Sequence, residues 1–210
     1  MSLPTPKARA QLHARNITFR GYKRDDNLWD IEAELGDQRT YVSSMLEKGV
    51  VPAGAPIHDM AMRLTLDDTM KICEISAVMR TVPFAECQRV MEPLQAMIGA
   101  TIGRGWRETI ETRLGGIKGC THLRELLFNI ATVAYQTIPP YQVHLRREAG
   151  VPADQLIGQA PPPFMGKCMS WDFNGPVVER NLPQFVAWPA RRKANAAQPT
   201  PSPSSAKAVE

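Results

Sequence analysis

The segment 115–123 carries the residues best suited to chemistry in this chain. Three glycines lead into a thiol, Cys120, and an imidazole, His122, and a long apolar-periodic run follows them. Because glycine adopts backbone conformations that other residues avoid, this pattern predicts a loop that delivers both side chains to the first turn of a buried helix. The unpaired N–H groups and the positive end of the helix dipole make that turn a place for an anion, a thiolate or a metal.

Two kinds of chemistry are open to Cys120 and His122. A helix N-terminus stabilises a thiolate, so Cys120 could act as a nucleophile with a histidine as its base. The Cys-x-His spacing also lets both side chains reach one point, where either is a good ligand for zinc or iron. The alternative is a small apolar Cys120 packed under the helix, with His122 bonded to a loop carbonyl. Glu125, one turn further on, either orients His122 as an acid–base group or is a helix-start residue favoured by the dipole.

A metal site needs further ligands, and two residues elsewhere in the chain are candidates. His58 stands where a Gly/Pro loop enters a strand, with the same parity as Met60, so it reaches the first site if that face meets the helices. If His58 faces solvent, it is a surface residue. The remaining alternative is a histidine at the edge of the core, bonded to a carbonyl. Cys87 lies on an apolar helical stripe, where it is either a ligand or core filler. The predicted catalytic residues are Cys120, His122 and Glu125, and the predicted ligands of zinc or iron are Cys87, Cys120, His122 and His58.

The part of the chain before residue 80 is predicted to form strands. Residues 16–35 read as a hairpin, because Trp29, Ile31, Ala33 and Leu35 alternate with acidic residues. A weaker alternation predicts a strand over 39–45, and further strands are predicted over 57–66 and 72–79. No crossover helix separates them, which favours an antiparallel sheet of about five strands.

The hydrophobic period changes to that of a helix after residue 83. A stripe over 84–97 contains Pro93, which predicts a kink or two short helices. A short helix follows over 104–114, with Trp106 and Ile110 pointing inward. The longest helix starts near Leu123, and Pro139-Pro140 is predicted to end it. The fold class is therefore α+β, with two or three helices packed on one face of the sheet.

The predicted domain organisation is simple. A chain of 210 residues with 43% hydrophobic content can bury one good core, so residues 15–188 are predicted to form a single α+β domain. Residues 1–14 are predicted to be a flexible N-terminus. Residues 189–210 are rich in Pro, Ala and Ser and are predicted to be a disordered tail.

Composition argues against several partners. The net charge of +4 comes from scattered residues without a basic helix face, which predicts no nucleic-acid partner. No apolar run approaches the roughly 18–20 residues that cross a bilayer, so no membrane association is expected.

A signal-peptide core is absent and four cysteines are too few for a disulfide scaffold, so we expect a cytoplasmic protein with reduced thiols. Phosphate-binding glycine motifs and common hydrolase motifs are also absent.

Several short motifs resemble a known family. They are Arg20-Gly21-Tyr22-x-Arg24-Asp25, Trp29-Asp30-Ile31, Pro56-Ile57-His58-Asp59-Met60, Arg63-Leu64-Thr65-Leu66-Asp67, Pro83 with Cys87, and Gly115-Gly116 through Gly119-Cys120-Thr121-His122-Leu123-x-Glu125-Leu126. The chain resembles a bacterial family defined as domain of unknown function 2889, over about residues 15–140 and more weakly through 168–188. The resemblance implies no particular activity. Its pattern picks out Cys87, Cys120, His122, His58 and Cys168 and passes over Cys73.

The sequence therefore leads to one main hypothesis and two alternatives. The main hypothesis is a cytosolic protein with a Cys/His metal site that acts on a small organic substrate. The first alternative is a metal-free thiol enzyme with Cys120 as nucleophile. The second is a non-catalytic module that binds a ligand or partner in a methionine-lined seam formed by Met60, Met62, Met91 and Met97. Oligomeric state and the roles of Cys168 and the tail stay open.

Overall fold

The computed structural model describes residues 3–196 of the chain. These residues fall into two compact units, with the boundary between Gln142 and Val143. The first unit contains a sheet and a layer of helices, and the second contains short helices.

The first unit is organised around a four-stranded antiparallel sheet. Its strands, in spatial order, are β1 (His13–Lys23), β2 (Trp29–Arg39), β5 (Pro56–Leu66) and β6 (Ile72–Thr81). Between β2 and β5 the chain forms a separate two-stranded sheet from β3 (Ser43–Met45) and β4 (Gly49–Val51). The α+β prediction with an antiparallel sheet is confirmed, and the strands are divided between two sheets.

Alternation along the strands gives the sheet one buried face. Trp29, Ile31, Ala33 and Leu35 of β2 are at most 1% exposed, as the period-two pattern predicts. Burying each large apolar side chain contributes about 1.5–3 kcal/mol. The opposite face carries cross-strand ion pairs such as the one from Arg63 Nε to Glu32 Oε1, 3.0 Å long. The outer face is therefore solvated, and the inner face carries the core.

Helices cover the inner face of the first unit. The predicted stripe over 84–97 forms a 3-10 turn (Ala85–Val90), the short helix α1 (Met91–Leu94) and a second 3-10 turn (Gln95–Met97). Helix α2 (Trp106–Leu114) follows. Trp106 and Ile110 are buried as predicted, and Trp106 Nε1 donates a hydrogen bond of 3.0 Å to the Leu127 carbonyl.

The longest helix, α3 (Thr121–Glu148), extends further than its sequence predicts. Pro139 and Pro140 lie inside α3, so the prediction that they end the helix is wrong. A proline inside a helix costs about 3 kcal/mol, because it removes a backbone hydrogen bond. Packing around the prolines offsets that cost. The Tyr141 ring meets Trp29 edge-on at 5.8 Å, and Gln142 Nε2 donates to Asp68 Oδ1 at 3.1 Å.

The second unit has a smaller hydrophobic cluster of its own. Its helices are α4 (Ala153–Leu156), α5 (Pro176–Asn181) and α6 (Trp188–Ala196), with 3-10 turns at Met169–Trp171 and Pro183–Phe185. Met165, Val178, Leu182 and Phe185 form its buried core. The tail predicted from residue 189 thus begins within α6, and residues 197–210 lie outside the described part of the chain.

Over residues 3–196, none of the helices combines the length and the apolar character that a bilayer span needs.

Candidate functional site

A polar row crosses the inner face of the sheet at one end. Arg15 on β1 lies opposite Asp37 on β2, and Asp37 lies opposite His58 on β5. The three positions have the same parity as Ile17, Leu35 and Met60, so they face the helices. Arg15 Nη1 donates to Asp37 Oδ2 at 3.2 Å. The row therefore places a cation, an anion and an imidazole side by side at the edge of the core.

Asp37 holds His58 in a defined orientation. The Asp37 side chain is buried, and its Oδ1 accepts hydrogen bonds from the His58 backbone N–H at 3.1 Å and from the His58 Nδ1 at 3.0 Å. Since an ionised carboxylate can only accept, the proton lies on Nδ1. The lone pair of the His58 ring is then on Nε2, which can accept a proton.

The first turn of α3 supplies the other side of the site. The glycine loop (residues 115–119) precedes it, and Gly116 has a φ of +59°, which favours glycine. The His122 ring lies 4.0 Å from the His58 ring, centroid to centroid, at an interplanar angle of 40°. Cys120 Sγ lies 3.7 Å from His122 Nδ1. The helix thus brings both predicted side chains to the polar row of the sheet.

Arg15 connects the two sides. Its guanidinium pairs with Glu125 on α3 through Nη2 as well as with Asp37 through Nη1. One guanidinium therefore neutralises part of the charge of two carboxylates. An excess of one negative charge remains beside the imidazoles, which favours a cation there.

Three side chains of the site converge closely enough to share one metal ion. One ligand atom from each of Asp37, His58 and His122 lies within 4.8 Å of the other two. Each comes from a different element, respectively β2, β5 and α3. Cys120 adjoins this group through its contact with His122.

The electrostatic environment keeps His122 neutral. Burial lowers the pKa of His122, and the nearby His58 and Arg15 lower it further, although the carboxylates of Asp37 and Glu125 oppose the shift. An imidazole in this state can accept a proton or coordinate a metal at neutral pH.

A cavity of about 530 Å³ opens beside the histidines. His58, Cys120 and His122 line one part of it, and Met60 is among the apolar side chains that line the rest. This volume lies in the range of small-molecule sites, roughly 300–1,000 Å³. The chemical groups of the site are therefore accessible to a ligand.

The other predicted residues have more varied positions. Cys87 lines the same cavity, and both Cys87 and Cys120 are partly buried against the hydrophobic core. Cys73 is exposed on β6, and Cys168 is exposed in the second unit. Of the methionines in the predicted seam, Met60, Met62 and Met97 are at most 2% exposed and belong to the core, and Met91 packs against it.

Two residues of the site, Asp37 and Arg15, were missed by the sequence analysis. The predicted hairpin spans residues 16–35 and ends before Asp37, whereas β2 continues to Arg39. The period-two alternation of the strands could have identified both residues. On β2 the inward-facing positions continue from Leu35 to Asp37, and on β1 they extend back from Ile17 to Arg15.

Comparisons with known proteins give a family and no function. A search of the curated proteins found no match, and neither did a search of the solved structures. A family model described as "Protein of unknown function (DUF2889)" matches residues 13–136, which include Arg15, Asp37, His58, Cys120 and His122. Since this match covers more than half of the chain, the protein belongs to the DUF2889 family.

Proposed function

We propose that this protein binds a divalent transition metal ion, zinc or iron, through Asp37, His58 and His122, and uses it on a small molecule in the adjoining cavity. The observation that carries the proposal is the convergence of the three potential ligands within 4.8 Å. Two imidazoles and one carboxylate form a donor set that leaves coordination positions open on zinc or iron. A metal held in this way can activate water or polarise a carbonyl group.

The charges and protonation states support a cation at this position. The lowered pKa of His122 removes the proton that would compete with a metal. A metal shared by Asp37 and His58 would take the place of the proton between Asp37 Oδ1 and His58 Nδ1, and Asp37 Oδ2 would keep its hydrogen bond from Arg15. Arg15 and Glu125 then act as an outer shell that holds Asp37 in place.

Cys120 and Cys87 have secondary places in this proposal. The 3.7 Å between Cys120 Sγ and His122 Nδ1 is close to the spacing of about 3.6 Å expected for two ligands of one tetrahedral zinc ion. Cys120 therefore adds to the affinity of the site without being required for it. Cys87 lines the same cavity, and its role as a ligand stays a prediction.

Metal analysis of protein purified without oxygen tests the proposal. We expect about one equivalent of zinc or iron per chain, and His58→Ala and His122→Ala should each lower the metal affinity at least ~100-fold. Cys120→Ala should lower it less, and Cys73→Ala, at an exposed position on β6, should leave it unchanged. Wild-type protein that binds less than about 0.2 equivalents of any transition metal would contradict the proposal.

A second candidate function is favoured by the contact between Cys120 and His122. In this alternative the protein is a metal-free thiol enzyme. The proton of the Cys120 thiol moves to His122 Nδ1, and the resulting thiolate attacks a carbonyl carbon of a substrate in the cavity. The π electron pair of the C=O bond moves to the carbonyl oxygen, which then takes the proton from His122. The carboxylates of Asp37 and Glu125 would stabilise the imidazolium that forms, since both favour protonated His122.

Thiol labelling separates the two candidates. Cys73 and Cys168 are exposed, whereas Cys120 is partly buried, so an ordinary Cys120 should react with iodoacetamide more slowly than either of them. Faster labelling of Cys120 in chelator-treated protein at neutral pH, lost in His122→Ala, would support the thiol enzyme. Slow labelling of Cys120 together with stoichiometric metal would leave the metal site as the remaining candidate.

A further inference from the structure

The cavity beside the histidines carries information about the class of molecule that enters it. The floor is apolar, with Met60, Met79 and Val90 among its buried side chains. The histidines and Cys120 form its polar end. A ligand that fills this space must therefore have an apolar body.

The cavity lining also includes a cation that has no partner among the described residues. Arg89 is exposed and lines the cavity, and within residues 3–196 its guanidinium has neither a hydrogen bond nor an ion pair. In contrast, Arg15 and Arg124 are both paired with carboxylates. Lys118 also lines the cavity, and its Nζ donates to the Thr112 carbonyl at 3.2 Å.

The charges around Arg89 favour an anion over a cation. Glu86 is the one carboxylate in the described lining, and Arg89 and Lys118 outnumber it. A ligand ammonium would meet two like charges, whereas a carboxylate can form two parallel hydrogen bonds with a guanidinium.

The glycine loop adds an apolar side chain to the cavity lining. Ile117 lines the cavity and yet is fully exposed, at 106% of its reference area. An isoleucine side chain that is exposed without a ligand gains burial when an apolar body lies beneath it. Ile117 thus complements the apolar floor.

We propose that the cavity binds a small organic anion, with its apolar body between the methionine floor and Ile117 and its anionic group at Arg89. This inference names the substrate class of the proposed metal site and rests on that proposed function. The ligand then shares the cavity with His58, Cys120 and His122, where the reaction would occur.

Calorimetric titration of the full chain at low salt tests the anionic group. The probes are butyrate, hexanoate, phenylacetate and indole-3-acetate, each compared with its neutral amide. We expect at least one acid of the series to bind about tenfold more tightly than its amide, and Arg89→Gln to remove most of that preference. Glu86→Gln is the matched control, on the same 3-10 turn and the same cavity wall, and it should preserve or increase the preference.

A separate variant tests the contact between Ile117 and the apolar body of the ligand. Ile117→Ser should weaken the acid and the amide equally, by about threefold to fivefold, because it removes contact with the apolar body only. Leu46→Ser is the control, since Leu46 is 94% exposed and lies between β3 and β4. It should leave both affinities unchanged.

Two outcomes would overturn the inference: no acid of the series binds, or the amides bind as tightly as the acids in wild-type protein and in Arg89→Gln. Repeating the titration on chelator-treated and metal-loaded protein separates this failure from that of the proposed function. Arg89-dependent binding of an acid by protein that takes up no metal would retain the substrate class and reject the metal site. Metal uptake without any preference for acids would retain the metal site and reject the substrate class.

Discussion

Asp37 holds several polar groups of the site in place with one side chain. It accepts from Arg15, from the His58 ring and from the His58 backbone, and all of these contacts lie at the edge of a hydrophobic core. A buried carboxylate is costly unless it is paired and hydrogen-bonded. The protein meets that cost with three donors, and the result is an imidazole fixed in the orientation that metal binding or proton transfer needs.

Removing the charge of Asp37 should therefore destabilise the fold as well as the site. Asp37→Asn should lower the free energy of unfolding by about 2 kcal/mol, because Arg15 and His58 lose a buried ionised acceptor. Urea denaturation measures this. Glu34→Gln, which removes an exposed cross-strand pair with Arg20, is the control and should have a much smaller effect. Equal effects of the two variants would contradict the role given to Asp37.

His122 should make stability depend on pH in a defined direction. Its pKa is lower in the folded protein than the ordinary value of 6.5, so the unfolded chain binds its proton more readily. This contribution to stability is complete above about pH 6.5 and is lost as the pH falls through the lowered pKa. Urea denaturation between neutral and mildly acidic pH should show a smaller loss of stability for His122→Gln than for wild-type protein. The opposite difference would show a raised pKa.

The sequence predicts part of the site because three of its residues have distinctive types and positions. His58, Cys120 and His122 were predicted to meet, and the structure places the two rings in contact and the thiol beside one of them. Asp37 was missed because an Asp after a glycine is typical of a turn, and Arg15 was missed because the predicted hairpin began at residue 16. The residues that lie opposite them are fixed by strand register, which a hydrophobic pattern specifies only in part.

At the scale of elements, the site depends on how closely α3 lies against β1. A Cβ atom on Gly21 of β1 would come within 2.2 Å of Thr137 Oγ1 on α3. Glycine is therefore required at this position by space rather than by backbone angle. The contact fixes the helix over the sheet on which Arg15 lies, six residues from Gly21 on the same strand.

A methyl group at Gly21 should separate β1 from α3. Gly21→Ala should lower the free energy of unfolding by about 1–3 kcal/mol through overpacking. Thr137→Ala should recover much of the loss in the double variant, since it removes the two nearest atoms. Gly36→Ala on β2 is the control, because its new methyl group would meet only the His58 carbonyl oxygen, at 4.0 Å. Thermal unfolding of the four variants measures the coupling, and additive effects would contradict the contact.

The length of α3 shows where local sequence signals are insufficient. Pro139 and Pro140 predict a helix end on local grounds, and yet α3 continues to Glu148. The decisive contacts, from Tyr141 to Trp29 and from Gln142 to Asp68, join positions far apart in the chain. Such long-range packing cannot be derived from the residues around the prolines alone.

At the scale of the whole molecule, the described chain has two separate hydrophobic clusters. The larger lies between Trp29 and Ile138 in the first unit, and the smaller lies between Met165 and Phe185 in the second. The α+β class of the first unit could be predicted because its hydrophobic period changes from two to 3.6 near residue 84. The modest apolar content after residue 140 did not specify the short helices of the second unit.

A chain that ends after α3 should fold without the second unit. The fragment 1–150 contains the larger cluster, all residues of the proposed metal site and the segment matched by the family model. We expect it to show a cooperative thermal transition and to bind metal with the affinity of the full chain. Circular dichroism and calorimetry measure the two properties. A fragment without a cooperative transition would show that the units depend on each other for stability.

X-ray absorption spectroscopy of zinc-loaded protein tests whether Asp37, His58 and His122 bind one metal ion, because it reports the atoms bound to the metal. We expect nitrogen and oxygen at about 2.0–2.1 Å, one sulfur at about 2.3 Å that is lost in Cys120→Ala, and the outer-shell signature of two imidazoles, reduced to one in His58→Ala and in His122→Ala. A zinc ion with the same imidazole signature in both variants would contradict it, as would protein that takes up no zinc.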